Sequence, residues 1–227
     1  MITNKNIQSG RSMIEMLGVL AIIGVLSVGG IAGYSKAMMK FKVNKTVDQV
    51  TQIATNIRTL FGGQRDYSKL TDKVIVKGLL LPDEMLLAKA TTTEDLGDAT
   101  ASEDLYENSW GHPVIVKGSV AKIADGDNKS FMITYQNVPS EACLELSVMD
   151  WGSSSGSGLV AFGVGNDGTH KDPGVEDITT VGCLGNSEAA IACANGPDGY
   201  RVPMDPARAA TYCSSDDGLV NLYWKFY

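Results

Sequence analysis

Hydrophobic and polar positions divide the chain into three unequal stretches. Met1–Gly10 is short and polar, and Met16–Tyr34 then runs nineteen residues without a charge. At about 1.5 Å per residue that run is about 28 Å of helix, close to the hydrocarbon thickness of a bilayer. The pattern continues without a break as Val43, Val47, Val50, Ala54, Ile57 and Phe61 recur at alternating spacings of four and three, with Ile53 and Leu60 widening the stripe. That alternation is the signature of a helix packing one face on something. Gly62-Gly63 ends it. The pattern predicts one helix from about Ser12 to Phe61, about 75 Å long, apolar all round in its first half and amphipathic in its second.

A cleaved secretory signal is the plainest alternative, but it has a shorter apolar core and a small-x-small cut site before a polar mature chain. Gly29 and Gly33 form a Gly-x-x-x-Gly pair that permits close helix approach in an apolar medium, although glycine is also common in membrane helices.

Beyond the helix the periods shorten. Val114–Val116, Phe131–Tyr135 and Leu159–Val164 read as strands, with Asp125-Gly126 supplying turn chemistry between the first two. Pro139 opens a short helix with Cys143, Leu146 and Met149 on one face, and Asp205-Pro206 starts another that ends near Cys213. Val220, Leu222, Trp224 and Phe226 alternate with polar positions, which predicts a half-buried C-terminal strand. The Gly/Ser run at 152–158 reads as a surface loop, with an interdomain linker as the alternative. The fold class is therefore α+β: a long N-terminal helix on an antiparallel sheet with short helices. The expected divisions are 1–10, 11–61 and 62–227.

Charge sharpens that division. Residues 1–61 carry seven Lys/Arg against two acids, whereas residues 62–227 carry twelve against twenty-four. An acidic head argues against general binding to nucleic acid, which needs clustered cations for phosphate. Cys143, Cys183, Cys193 and Cys213 all lie in the head, an even count that fits two disulfides in an oxidising compartment, with reduced buried thiols as the alternative. Four cysteines allow three pairings. No Cys-x-x-Cys pair points to zinc. Lys36, Lys40, Lys42 and Lys45 follow the apolar run while only Lys5 and Arg11 precede it, so a positive-inside count places the head in the cytoplasm, against the cysteines.

Glu15 sits at the mouth of the run. A carboxylate buried in a bilayer costs about 2.5–3.5 kcal/mol at the centre and less near the edge. In the first turn it also suits the helix dipole. If the chain is cut after Gly10, Glu15 lies about one turn from a new α-amino group. Identical helices packed side by side with an axial shift then bring the amine of one copy to the carboxylate of the next, so that Glu15 sets register. A glutamate snorkelling to water is the alternative.

Recognisable catalytic chemistry is lacking. Residues 163–168 satisfy Gly-x-Gly-x-x-Gly, but no apolar-periodic helix follows to point its dipole at a phosphate. Asp125 and Asp127 resemble the start of a calcium loop, yet Lys129 stands at the next ligand position. His112 and His170 lie in no nucleophile motif. No enzyme activity, metal or cofactor is expected.

The stretch "SGRSMIEMLGVLAIIGVLSVGGIAGYSKA" resembles the leader and helix of type IV prepilins: a short polar leader ending in Gly, a glutamate five residues on, then a long apolar helix. The resemblance implies removal of Met1–Gly10 by a prepilin peptidase that also methylates the new terminus, a head outside the cytoplasm, storage in the inner membrane, and assembly by pilus machinery into a helical filament of identical subunits. Arg11 departs from the family, whose mature chains begin with an apolar residue. The head is similar to type IVb pilins, the subclass of bundle-forming, toxin-coregulated and conjugative thin-pilus pilins, through "LFGGQRDYSKL", "LPDEML", "NSWGHPVIV", "VPSEACLEL" and "PARAATYC" in that order. That likeness implies a Cys143–Cys213 pair and leaves Cys183 with Cys193. A minor pilin or a type II secretion pseudopilin shares the leader, and an envelope enzyme or binding protein on an uncleaved anchor is the rival from another class.

Overall fold

The computed structural model describes residues 13–64, 66–87, 105–119, 130–152, 157–165, 191–193 and 202–227. The predicted Asp125-Gly126 turn, residues 166–168 of the glycine motif and His170 lie outside them. The chain divides into two compact units, Met1–Phe41 and Lys42–Tyr227.

Helix α1 spans Met13–Phe61, as the apolar periodicity predicts. In the first unit every described side chain from Met13 to Ala37 is exposed. No residue of the second unit's part of α1 that the stripe names is wasted except two. Val43, Val50, Ile53, Ala54, Ile57 and Phe61 are buried, but Val47 is half-buried and Leu60 is 53% exposed. Thr46 and Gln49 take the remaining core-facing positions. The buried face therefore drifts around the helix, as it does wherever 3.6 residues per turn meet a seven-residue repeat.

The head is built on a five-stranded antiparallel sheet. Its strands are β1 (Val114–Ser119), β2 (Ser130–Pro139), β3 (Leu159–Gly165), β4 (Ile191–Cys193) and β5 (Leu219–Phe226), in the order β1-β2-β5-β3-β4. Short helices α2 (Asp72–Lys77), α3 (Ser140–Ser147) and α4 (Pro206–Tyr212) and a 3-10 turn (Asp83–Met85) complete it. Asp205 caps α4, its Oδ1 accepting from the backbone N–H groups of Ala207 and Arg208. Met149 falls beyond the end of α3, and Ser147 takes the buried place that the sequence pattern assigns to it.

The C-terminal strand is where the structure departs furthest from the pattern. β5 is central, paired with β2 on one side and β3 on the other. Leu222, Trp224 and Phe226 point to the face that also carries Phe131, Ile133, Tyr135 and Phe162, and Tyr135, Trp151 and Phe162 all meet the Trp224 ring edge-on. Phe61 of α1, Tyr67 and Phe131 form a ring chain on that same side. On the opposite face Asn221, Tyr223 and Lys225 are buried as well, with Met132 and Ala161 beside them. The strand is thus buried on both faces, although an antiparallel sheet can leave one face to water.

Candidate assembly surface

Two surfaces bear on function, one in each unit. In the first, Glu15 lies in the opening turn of α1, where a carboxylate suits the unsatisfied N–H groups of a helix start. After it Met16–Tyr34 is apolar and exposed throughout, and none of the most apolar stretch is buried within the chain. A Cβ added at Gly18, Gly24, Gly29, Gly30 or Gly33 would meet nothing within 4 Å. An exposed apolar surface this large marks a site of interaction. Gly10 and Arg11 lie outside the described residues.

In the second unit a polar knot ties α1 to the head. Gln49 is 3% exposed. Its Nε2 donates to Glu84 Oε1 at 2.9 Å, and its Oε1 accepts from Ser109 Oγ and Tyr135 OH, each at 3.3 Å. Lys45 Nζ stands 3.2 Å from the same Glu84 oxygen. The Gln49 hydrogen bond, with help from Lys45, holds the Glu84 carboxyl below its ordinary value. Burial, and secondarily the Glu84 charge, pushes the Tyr135 hydroxyl well above its ordinary value, so it stays a donor. Farther along, Asn56 Nδ2 donates to the Leu80 carbonyl at 3.1 Å and Arg58 Nη1 to the Ser157 carbonyl at 2.7 Å. A Cβ on Gly158, which has φ of 71°, would strike the Arg58 guanidinium. Side chains of α1 therefore bond to four separate head segments, at Leu80–Glu84, Ser109, Tyr135 and Ser157.

A disulfide joins Cys143 of α3 to Cys213, just past α4, with their Cα atoms 5.6 Å apart. Ser147 Oγ lies 3.4 Å from Cys213 Sγ, and the Ser147 carbonyl accepts from Met204 N at 3.0 Å. Trp151 Nε1 donates to the Leu146 carbonyl at 2.8 Å. The bond and its neighbours clamp the segment leading into β5 onto α3. Cys193 falls in β4, and Cys183 lies outside the described residues.

His112 is part of a loop folded around Asn108, whose Oδ1 accepts from the backbone N–H groups of Trp110 and His112. Among the described residues no group of His, Cys, Asp and Glu is placed to hold a metal ion.

Sequence reasoning missed Gln49 and Thr46. The available signal was their position, since each falls three or four residues from the apolar members of the stripe. It also missed Lys225, a buried cation in β5 that the alternation placed on a solvated face.

Residues 36–208 match the Bundlin family model. The chain is 24% identical over 194 residues to the major structural subunit of bundle-forming pilus from Escherichia coli O111:H-, covering 86% of this chain and 92% of that one. Its counterpart from Escherichia coli O127:H6 matches to the same extent. Among solved structures, a type IV b pilin from Salmonella typhi aligns over 80% of this chain and 97% of its own, with a TM-score of 0.45 at 18% identity. TcpA, a type IV pilin from Vibrio cholerae El Tor biotype, aligns over 82% and 99%, with a TM-score of 0.49 at 13% identity.

Proposed function

Since the chain belongs to the Bundlin family and is a type IVb pilin, we propose that it enters its filament through the exposed apolar half of α1, with Glu15 setting the axial register. The observation that carries this reading is the exposure of the whole uncharged run Met16–Tyr34 in a chain whose head has a well-packed core. A pilus subunit is extracellular once assembled. Before assembly the same run holds the subunit in the inner membrane, head in the periplasm.

In this reading the prepilin peptidase cuts between Gly10 and Arg11 and methylates the new terminus. The cut creates an amine about one helical turn from Glu15. Within a bundle of such helices the carboxylate of one copy is neutralised by the terminus of the next, which removes the cost of a lone charge in an apolar medium. Arg11 adds a second cation beside that terminus. The pilus assembly machinery then has only to supply subunits at the correct axial step. Residues 1–10, 11–61 and 62–227 act as leader, filament helix and head. The Cys143–Cys213 disulfide, with a Cys183–Cys193 clasp beside it, holds the head together outside the cell.

Intact-mass measurement and amino-terminal sequencing of sheared filaments test the reading. It requires a chain that begins at Arg11 with a methylated amine and is the filament's abundant component. A chain that keeps Met1–Gly10 and stays in the membrane fraction would instead fit an anchored envelope protein, and trace abundance would fit a minor pilin or pseudopilin.

A further inference from the structure

Lys36 and Lys40 follow the apolar run, on the side of the span where a positive-inside count does not put them if the head lies outside the cytoplasm. Within the first unit, Tyr34 and Phe41 are 65% and 61% exposed, and Lys36 and Lys40 are exposed too. Tyr34 and Phe41 are seven residues apart, so they share one helix face. Lys36 and Lys40 are four apart and share another, about 200° around from Tyr34. The four thus form an aromatic stripe and a cationic stripe on opposite sides of one two-turn segment.

Position along the axis fixes what that segment meets. When the uncharged run fills the hydrocarbon, Tyr34 stands at its edge, Lys36 about 3 Å beyond and Lys40 about 9 Å beyond. Tyrosine settles at this depth with its ring in the boundary and its hydroxyl in water. Both ammonium groups then fall within about one Debye length of the headgroup phosphates at physiological salt.

We propose that Tyr34, Lys36, Lys40 and Phe41 form a collar that binds anionic phospholipid headgroups of the leaflet on the head side of the membrane. The inference rests on the membrane reading of Met16–Tyr34. It adds a lipid partner that the filament role does not require. The collar retains the subunit in its leaflet, and its lipid contacts are given up when the subunit leaves for the filament.

The test is lipid selectivity of the full chain in phosphatidylcholine vesicles carrying a trace of spin-labelled phosphatidylglycerol or spin-labelled phosphatidylcholine. Flotation of the vesicles is measured in parallel. At about 0.1 M salt the protein-associated fraction is expected to favour phosphatidylglycerol by about fivefold or more, from about fivefold per lysine at the surface. The preference falls to within about twofold in the Lys36→Gln/Lys40→Gln variant and at about 1 M salt, where the Debye length is about 3 Å, and the Lys36→Arg/Lys40→Arg variant keeps it. A floating wild-type chain without the preference, or a double glutamine variant that retains it, overturns the collar alone. A chain that fails to float overturns the membrane reading itself. If the glutamine variant loses filaments while its lipid preference is intact, the lysines serve acidic groups of a neighbouring copy, and the lipid assignment is wrong.

Discussion

Gln49 of α1 donates to Glu84 of the 3-10 turn at 2.9 Å, across thirty-five residues of sequence. The bond lies within the stretch of α1 that is buried on the head, about two turns past Val43, where that burial begins. Below it the helix core is aliphatic and aromatic. At this level a buried amide satisfies a carboxylate, a phenol and a hydroxyl at once. An apolar residue in its place would still fill space but would take a hydrogen bond from each of three partners, leaving Glu84 with Lys45 and Tyr135 with the weak acceptor Met85 Sδ.

Replacing Gln49 by Leu therefore costs the head about 1–3 kcal/mol, since the buried Tyr135 hydroxyl is left with only the weak acceptor Met85 Sδ and Glu84 with only Lys45. Urea unfolding of the head read by tryptophan fluorescence measures it. The Glu84 share depends on pH: its folded value lies below the ordinary 4.5, so its contribution is present above that value and is lost as pH falls through the lower folded one. A Gln49→Leu head should show a shallower loss of stability in that acid range. An unchanged stability and acid slope would mean that the knot holds nothing.

Lys225 gives a pH dependence of opposite placement. It is 1% exposed in the central strand, with no hydrogen-bond or ion-pair partner among the described residues, and burial pulls its value from 10.5 down to about 8. Among the described strand residues, the charged groups and phenols on its face are Lys117 of β1 and Tyr223 of its own strand. Met132 of β2 and Ala161 of β3 are its direct cross-strand neighbours. Below about pH 8 both folded and unfolded chains carry the proton, and folding bears the full cost of burying the charge. The cost is relieved as pH rises from about 8 to 10.5. Lys225→Met should stabilise the head at pH 7 by a few kcal/mol, on the order of 3, and remove the rise in stability over that window. Destabilisation at pH 7 would show that the ammonium is paired.

The Cys143–Cys213 bond closes a loop of 70 residues. On the chain-entropy account such a loop contributes about 4 kcal/mol, acting mostly on the unfolded chain. The Cys143→Ser/Cys213→Ser variant should thus fold to the same head with a melting temperature lower by about 10 °C or more. Circular dichroism of the variant against the oxidised protein decides it. Equal melting temperatures would place the clamp's strength in Trp151, Ser147 and Met204 instead of the bond.

Much of this was legible in the chain itself. The uncharged run, the four-three stripe and Gly62-Gly63 predict α1 to its last residue, because long periodic segments overdetermine a helix. The β-branched clusters locate β1, β2 and β3, and Asp205-Pro206 locates α4 through its cap. What failed did so for tertiary reasons. Asn221, Tyr223 and Lys225 read as a wet face, but alternation within one strand does not reveal that β5 is central and that its second face is buried too. Leu60 reads as core and stands exposed, while Gln49 reads as surface and is buried, since only the head's own groups decide which side of a helix is covered. In the assembly region Glu15 stood out from the start, because a lone acid before nineteen uncharged residues is hard to place otherwise.

The most direct measurement is a filament count by electron microscopy for a Glu15→Ala chain, at matched amounts of membrane-inserted, correctly cut subunit. Alanine lengthens the apolar run and leaves the head untouched, so expression and insertion should hold while filaments become few or vanish. Filaments of ordinary number and length from that chain would contradict a role for the carboxylate in setting register.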